Sequence, residues 1–319
     1  MEHIYKELKK YGSVKIDEAL KKHTTFKIGG NARFFVSVEN TDRLVELLRF
    51  LDAEGINHMA IGGGSNMLAH DSGFDGVLIH INTKQKSVED NEIRAEAGCI
   101  TVDIAQFSIQ HGLTGFEWGV GVPGSIGGAV RGNAGAMGSQ MQDSLKSIRA
   151  YEDGEILDMN KEACAFGYRD SIFKHSSKIV LSLTLSLKKA ENKEGMKTAL
   201  GHLAYRNKTQ PKGFASTGCI FKNPDTETNK VLLLKHFDSQ DEKVKQFLKV
   251  GKISAGWLIE NAGLKGLKQG QALISPEHGN FIVNLGVASS SDVVGLIEKI
   301  KETVYTTYGI LLEEEIQII

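Results

Sequence analysis

The sequence has little proline and no long apolar run, and each shortage excludes a class of protein. Proline occupies only 4 of 319 positions and glycine occupies 35, whereas average usage is about 5 % and 7 %. An excess of glycine without proline argues against a disordered chain. The longest apolar-rich run, residues 179–187, is too short to cross a bilayer. Because no apolar segment of about 7 to 15 residues follows the N-terminus, we predict a cytoplasmic protein that binds no membrane.

Cysteine is also scarce. Cys99, Cys164 and Cys219 lie far apart without a C-x-x-C motif, and the ten histidines are scattered without H-E-x-x-H. This pattern favours reduced thiols over a disulfide framework, and no metal site is predicted. Lys plus Arg number 38 and Asp plus Glu number 39, for a net charge of −1. Since the basic excess of a nucleic-acid binder is missing, we expect small-molecule partners and no nucleic acid.

Hydrophobic periodicity predicts several helices and strands. A helix is expected over 41–55, with Thr41 as its cap and Gly55 at its exit. The other predictions are strands at His58–Ile61, Val77–Ile81 and 179–187, a helix with a capping box from Ser239 to Glu242 and an exit at Gly251, a helix from Ser254 to Gly263, a helix over Ser291–Tyr308 that ends at Gly309, and a strand-like segment at 310–319.

Glycine-rich loops are the main chemical signal. Ten of the 27 residues from Gly112 to Gly138 are glycine, and Gly62-Gly63-Gly64 follows a predicted strand. Successive glycines let backbone N–H groups converge on an anion such as phosphate. An isolated pair of glycines more often makes only a tight turn, but the density here favours binding. Neither loop carries the G-K-[ST] of a P-loop, and a G-x-G-x-x-G that opens a Rossmann helix with an acidic residue about 20 positions on is not found.

Several motifs together resemble the UDP-N-acetylenolpyruvoylglucosamine reductase (UDP-N-acetylmuramate dehydrogenase) family. They occur in the family's order from residue 23 to residue 316. The matching segments are 23–30 (HTTFKIGG), 62–66 (GGGSN), 121–129 (GVPGSIGGA), 133–136 (NAGA), 168–173 (YRDSIF), 218–224 (GCIFKNP), 278–284 (HGNFIVN) and 312–316 (LEEEI).

The resemblance implies an α+β fold: a two-subdomain FAD-binding fold of the vanillyl-alcohol-oxidase (PCMH) type and a C-terminal α/β substrate-binding domain. The expected boundaries are 1–75 and 76–193 for the FAD subdomains, with the PCMH-type region at 28–193, and 194–319 for the substrate domain, whose last strand returns to the active site. It also implies non-covalent FAD, because Asn66 stands where covalent relatives have histidine. The implied cofactor contacts are Thr25, Gly62, Gly63, Gly64, Ser65, Asn66, Gly121, Val122, Pro123, Gly124, Ser125, Gly127, Gly128, Asn133, Ala134 and Gly135.

The implied activity is NADPH-dependent reduction of UDP-N-acetylglucosamine enolpyruvate to UDP-N-acetylmuramate for peptidoglycan. Three implied catalytic residues follow from the motifs. Arg169 matches the arginine that faces the substrate carboxylate, and Glu315 matches a C-terminal glutamate that donates a hydrogen bond while neutral. Cys219 stands where the family most often has a serine proton donor, and a cysteine thiol, with a pKa of about 8.5, gives up its proton more readily than a hydroxyl.

Each of these residues has a plainer alternative. Arg169 could pair with Asp170 or lie on the surface, Glu315 could belong to a solvated acidic edge, and Cys219 could be an inert buried thiol, as we expect for the other two cysteines. The predicted substrate contacts are Tyr168, Lys212, Lys222, Asn223 and His278, and a basic stretch at 206–212 could contact a diphosphate or remain solvated. The segment 225–253 is longer than the family pattern, and Arg131 stands where an apolar residue is usual.

Two other functions remain open from the sequence. One is an FAD-dependent oxidase or dehydrogenase of an alcohol or lactone; such oxidases commonly anchor the flavin through His or Cys, and neither glycine loop contains one. The other is a flavin-binding protein without catalysis, which retention of Arg169, Cys219 and Glu315 disfavours. We expect a monomer.

Overall fold

The computed structural model describes residues 2–190 and 194–319. The helices are α1 (Glu2–Leu8), α2 (Thr41–Ala53), α3 (Thr101–Gln110), α4 (Ile126–Arg131), α5 (Met141–Ser144), α6 (Glu194–Thr209), α7 (Thr226–His236), α8 (Glu242–Val250), α9 (Ala255–Asn261) and α10 (Ser290–Tyr308). The strands are β1 (Ser13–Ala19), β2 (Asn31–Val38), β3 (His58–Ile61), β4 (Met67–Leu68), β5 (Phe74–Ile81), β6 (Lys86–Glu89), β7 (Glu92–Glu96), β8 (Leu113–Thr114), β9 (Gly135–Ala136), β10 (Ser139–Gln140), β11 (Leu145–Glu152), β12 (Glu155–Asn160), β13 (Ile179–Ser186), β14 (Lys188–Lys189), β15 (Lys268–Gln269), β16 (Ala272–Ile274), β17 (Ile282–Asn284) and β18 (Gln317–Ile318). Within the described ranges, no helix is long and apolar enough to cross a membrane.

The described residues form two compact units. Unit 1 comprises 2–18, 31–64, 74–190 and 194–208, and unit 2 comprises 19–30, 65–73 and 209–319. Each unit has its own apolar core.

Unit 1 contains two sheets. The first has the order β1-β2-β5-β3, in which β2, β5 and β3 run parallel. Helix α2 buries the predicted leucine stripe, and Gly55 has the left-handed φ of 61° expected at its exit. The N-cap is Asn40 rather than Thr41, because the Asn40 side chain accepts a hydrogen bond from the Arg43 backbone N–H at 3.0 Å.

The second sheet of unit 1 is antiparallel, with the order β12-β11-β13-β7-β6. Its central strand β13 shows the predicted alternation, since Leu181, Leu183 and Leu185 are buried. These leucines belong to the same core as Val36 and Ile79 of the first sheet.

Unit 2 is built around the long helix α10. Its apolar stripe, Val293, Leu296, Ile297, Ile300 and Val304, is buried in a core that includes strands β16 and β17. Ser289 and Asp292 form a capping box, the helix begins at Ser290, one residue before the predicted start, and Gly309 ends it at φ 72° as predicted.

Two predictions about unit 2 are wrong. The cap of α8 is Asp241 rather than Ser239: its carboxylate accepts hydrogen bonds from the N–H groups of Lys243 at 2.7 Å and Val244 at 3.3 Å. Residues 310–319 do not form one strand: β18 pairs in parallel with β4, and Glu314 forms an isolated antiparallel bridge with Phe221. The rest of that segment bonds to several different partners, so no continuous ladder forms.

The long segment 225–253 is a helical excursion of unit 2. It contains α7 and α8 and is closed at its base, where the N–H of Thr226 donates to the Gly251 carbonyl at 3.0 Å and the N–H of Ile253 donates to Pro224 at 2.7 Å. The two ends of this helical segment therefore lie side by side in unit 2.

Candidate cofactor and substrate sites

The two predicted glycine loops lie against each other in unit 1. Strand β3 runs into Gly62 and Gly63, and the second loop ends at Ser125, the N-cap of α4. A Cβ added to Gly62 would lie 2.0 Å from the Ser125 Oγ, and one added to Gly63 would lie 2.7 Å from the Gly124 Cα. Only glycine permits approaches this close, so the two loops that the sequence predicts to bind phosphate pack directly against each other.

The first turn of α4, which continues the second loop, is hydrogen-bonded within unit 1. The N–H of Ile126 donates to Cys99 at 2.8 Å, the N–H of Gly127 donates to Ala97 at 2.9 Å, and that of Gly128 donates to the Ser125 Oγ at 3.3 Å. These amides therefore anchor the segment, so the backbone N–H groups available to a diphosphate lie before α4.

Arg206 of helix α6 lies on this loop, which the sequence alone did not indicate. A Cβ added to Gly121 would meet the Arg206 Cδ at 2.2 Å and its Nε at 2.8 Å. In the sequence, Arg206 belongs to a basic stretch, 206–212, that could contact a diphosphate or remain solvated. A guanidinium beside a glycine cradle is the donor chemistry that a dinucleotide diphosphate requires, so the residues present fit FAD.

The Asn133-Ala134-Gly135 segment is fixed by Asn133, which is fully buried and has a φ of 40°. Its Nδ2 donates to the Gly167 carbonyl at 2.8 Å and its Oδ1 accepts from the Gln142 N–H at 3.0 Å. The Asn133 side chain, a predicted cofactor contact, is thus engaged within unit 1, where it ties this segment to the turn that carries Arg169.

Arg169 occupies a two-residue turn. Gly167 and Asp170 exchange backbone hydrogen bonds of 3.0 and 3.2 Å, and Arg169 has a φ of 56°, a conformation that favours glycine. Its guanidinium donates to the Gly135 carbonyl at 2.8 Å and lies 5.5 Å from the centre of the Tyr168 ring. Arg169 is half-buried, which disfavours the alternative of a solvated surface arginine.

The predicted residues Cys219 and Glu315 lie on neighbouring segments of unit 2. Cys219 is half-buried and forms a backbone bridge with Phe281, and the N–H of Glu315 donates to the carbonyl of the next residue, Ile220, at 2.7 Å. The Asn66 Nδ2 donates to the Glu315 carbonyl at 3.1 Å. Asn66, predicted from the first glycine loop, therefore fixes the segment that carries Glu315.

The other two cysteines are buried, as expected. Burial raises the pKa of the Cys164 thiol to about 11 and also raises the pKa of Cys99. Both thiols are therefore kept protonated within the core of unit 1, and neither is a nucleophile at neutral pH.

The three consecutive glutamates near the C-terminus have different surroundings. Glu313 is exposed and lies 3.4 Å from the Lys222 Nζ, whereas the half-buried Glu314 lies 2.8 Å from the Lys301 Nζ. Glu315 is half-buried and is held through its backbone. The acidic run is therefore not a uniformly solvated edge.

The predicted substrate contacts of unit 2 are in part engaged by the fold. The Asn223 Oδ1 accepts from the Ala255 N–H at 3.0 Å. The Nδ1 of His278 accepts a hydrogen bond from the Asn280 N–H at 3.2 Å, so the neutral ring carries its proton on Nε2. Burial lowers the pKa of this imidazole. Lys212 and Thr25 are exposed. Among the described residues, no group of His, Cys, Asp or Glu is arranged to hold a metal ion.

Comparison with known proteins assigns both parts of the chain. An FAD-binding domain model matches residues 32–160, and the model of the UDP-N-acetylenolpyruvoylglucosamine reductase C-terminal domain matches residues 210–319. UDP-N-acetylenolpyruvoylglucosamine reductase of Caldicellulosiruptor saccharolyticus is 38 % identical, over 95 % of this chain and 91 % of that protein. The protein of the same name from Clostridioides difficile is 36 % identical, over 96 % and 93 %.

A solved structure agrees with these relatives. The crystal structure of UDP-N-acetylenolpyruvylglucosamine reductase from Thermus caldophilus is similar with a TM-score of 0.73 and 31 % identity, over 96 % of this chain and 98 % of that one. The predicted α+β fold, with an FAD-binding part and a C-terminal substrate domain, is thereby confirmed. With the glycine cradle and the ordered motifs, these similarities show that the chain belongs to the UDP-N-acetylenolpyruvoylglucosamine reductase family of FAD-dependent oxidoreductases.

Proposed function

We propose that this protein reduces UDP-N-acetylglucosamine enolpyruvate to UDP-N-acetylmuramate, with NADPH as the reductant, in the synthesis of peptidoglycan precursors. The observation that carries the proposal is 38 % identity to a reductase of that name over 95 % of the chain. Arg169 and Glu315 match the motifs, and Cys219 places an acidic thiol at the position of the proton donor, which supports an active enzyme.

FAD would be held without a covalent bond by the glycine cradle of unit 1. Gly62, Gly63 and Gly124 lie where the two loops meet, and the Arg206 side chain lies beside Gly121. Bound FAD would supply the two-electron redox chemistry that links NADPH to the substrate. We retain residues 28–193 as the proposed FAD-binding region and 194–319 as the proposed substrate domain.

Arg169 is the proposed partner of the substrate carboxylate. Addition of a hydride to the methylene carbon of the enolpyruvyl group leaves negative charge on the adjacent carbon, and this charge spreads into the carboxylate. A fixed guanidinium stabilises that charge because its planar donors match a carboxylate and need no reorganisation. The contacts of Arg169 with Gly135 and Tyr168 limit its side-chain freedom before any substrate binds.

Cys219 is the proposed proton donor. Reduction of the double bond needs one proton on the carbon that bears the charge, and the Cys219 thiol would donate it and be left as a thiolate, which takes a proton from solvent before the next turnover. Glu315, while neutral, would donate a hydrogen bond to the same anionic intermediate. Backbone contacts within unit 2 hold both residues in neighbouring segments.

The proposal is tested by the absorption spectrum of the purified protein. We expect a yellow protein that bleaches with NADPH under anaerobic conditions and recovers its colour when UDP-N-acetylglucosamine enolpyruvate is added. A protein that bleaches but is not reoxidised by this compound would refute the substrate. A protein that stays colourless after incubation with FAD would refute the cofactor assignment as well.

A further inference from the structure

Lys174 makes a contact with Arg169 that the mechanism above does not use. Its Nζ donates a hydrogen bond of 2.7 Å to the Arg169 backbone carbonyl. Lys174 ends a short 3-10 helix, Ile172–Lys174, and is half-buried. A hydrogen bond from an ammonium group is stronger than one between neutral groups, and partial burial protects it from competition with water.

The contact acts on an unfavourable backbone conformation. Arg169 is the second central residue of the turn between Gly167 and Asp170. Its φ of 56° is a backbone angle that residues other than glycine rarely adopt. A turn that needed only to reverse the chain would have glycine here. Arginine at this position favours a role for its side chain, and the surroundings must then stabilise the strained turn.

Three further contacts define where the guanidinium lies. The Arg169 side chain donates to the Gly135 carbonyl and lies over the Tyr168 ring. Asn133 connects the two segments, since its amide donates to the Gly167 carbonyl at 2.8 Å. Lys174 completes the arrangement from the other end, because its bond to the Arg169 carbonyl fixes the peptide plane between Arg169 and Asp170.

We propose that Lys174 is a positioning residue for Arg169: its hydrogen bond to the Arg169 carbonyl holds the strained turn in the conformation that presents the guanidinium to the substrate carboxylate. This inference rests on the proposed function of Arg169. Loss of the bond should slow reoxidation by the substrate, in which charge develops on the carboxylate, and should spare reduction by NADPH, which does not involve that charge.

The test compares the two half-reactions by anaerobic stopped-flow absorbance in the holoenzyme. Lys174→Met removes the donor and the charge, whereas Lys174→Arg retains both. We expect Lys174→Met to slow reoxidation by UDP-N-acetylglucosamine enolpyruvate at least tenfold with less than a threefold change in reduction by NADPH, and Lys174→Arg to recover most of the lost rate. Equal slowing of both half-reactions would overturn the proposal, because a general structural defect would cause it.

Lys178→Met is the matched control. Lys178 is also half-buried and lies four positions further along the chain, but its Nζ bonds to the Glu152 carboxylate at 2.7 Å instead of the turn. We expect this variant to leave the ratio of the two half-reaction rates unchanged. The same tenfold selective loss in Lys178→Met would contradict a specific role for Lys174.

A double-mutant cycle separates this inference from the proposed function. If Lys174 acts through Arg169, Lys174→Met should slow reoxidation less than twofold further when Arg169 is already alanine. Additive losses would overturn the inference. If Arg169→Ala alone leaves reoxidation unchanged, the proposed role of Arg169 fails; if Arg169→Ala slows it and Lys174→Met does not, only the role of Lys174 fails.

Discussion

The backbone of Gly63 lies so close to that of Gly124 that a Cβ on Gly63 would come within 2.7 Å of the Gly124 Cα. Because the obstructing atom belongs to the backbone, the loops must separate to admit alanine. We therefore expect Gly63→Ala to weaken FAD binding at least tenfold, as measured by titration of the apoprotein with FAD through quenching of flavin fluorescence.

Gly201→Ala is the control for this substitution. A Cβ on Gly201, in helix α6, would have no atom within 4 Å, and alanine favours helix over glycine by about 1 kcal/mol. This variant should bind FAD like the wild type and unfold at an equal or higher temperature. FAD affinity unaffected by Gly63→Ala would contradict the close contact of the two loops.

The strained turn at Arg169 predicts that a glycine variant is more stable than an alanine variant at this position. Both Arg169→Gly and Arg169→Ala remove the guanidinium and its contacts, but only glycine adopts the observed φ of 56° without strain. The glycine variant should therefore be more stable than the alanine variant by about 1 kcal/mol in urea unfolding, while both variants reoxidise more slowly with substrate than the wild type. Equal stability of the two variants would show that the turn relaxes in solution.

Replacement of Cys219 tests the proton donor. Cys219→Ala should slow reoxidation by substrate at least about 100-fold, which is the lower range for loss of a general acid, and should leave reduction by NADPH nearly intact. Cys219→Ser should remain active, since serine occupies this position in the family pattern. Stopped-flow traces of both half-reactions measure these effects.

Cys99→Ala provides the comparison, since that thiol is buried and its Sγ bonds to the Gln85 carbonyl at 3.4 Å. We expect it to alter stability without changing the relative rates of the half-reactions. An inactive Cys219→Ser protein that still folds and binds FAD would count against the donor role of Cys219.

The lowered pKa of His278 predicts that the protein loses stability in mild acid. Burial lowers its pKa below the usual 6.5, so the unfolded chain takes up the proton first as the pH falls. The stabilising effect of the neutral ring is complete above pH 6.5 and is lost as the pH falls towards the folded-state value. Between pH 7 and pH 5, urea unfolding of His278→Gln should lose less stability than the wild type, by up to about 1 kcal/mol.

His111→Gln makes the same substitution at an exposed histidine and serves as the reference variant. Identical pH profiles for the wild type and His278→Gln would mean that the His278 ring titrates alike in the folded and unfolded chains.

Sequence patterns predicted elements well where the signal is local. The strand His58–Ile61 has the predicted bounds, the helices ending at Gly251 and Gly309 end there, and β13 alternates as expected. Competition between two possible caps explains the wrong cap predicted for α8. Ser239 matched a capping box, but Asp241 stands immediately before the first helical residue, and its carboxylate accepts the hydrogen bonds of the first backbone N–H groups.

The amino-acid sequence by itself determined the order of the motifs, the family that they indicate and the types of reacting group, because these are properties of residues and their spacing. Only the tertiary structure decided which groups are already bonded or packed within the protein. The amide of Gly127 anchors a loop, the side chain of Asn133 is hydrogen-bonded within unit 1, and Arg206 lies against Gly121. These contacts join segments distant in the chain, and a hydrogen bond or a close approach depends on the positions of both partners in space, which no local pattern of residues specifies.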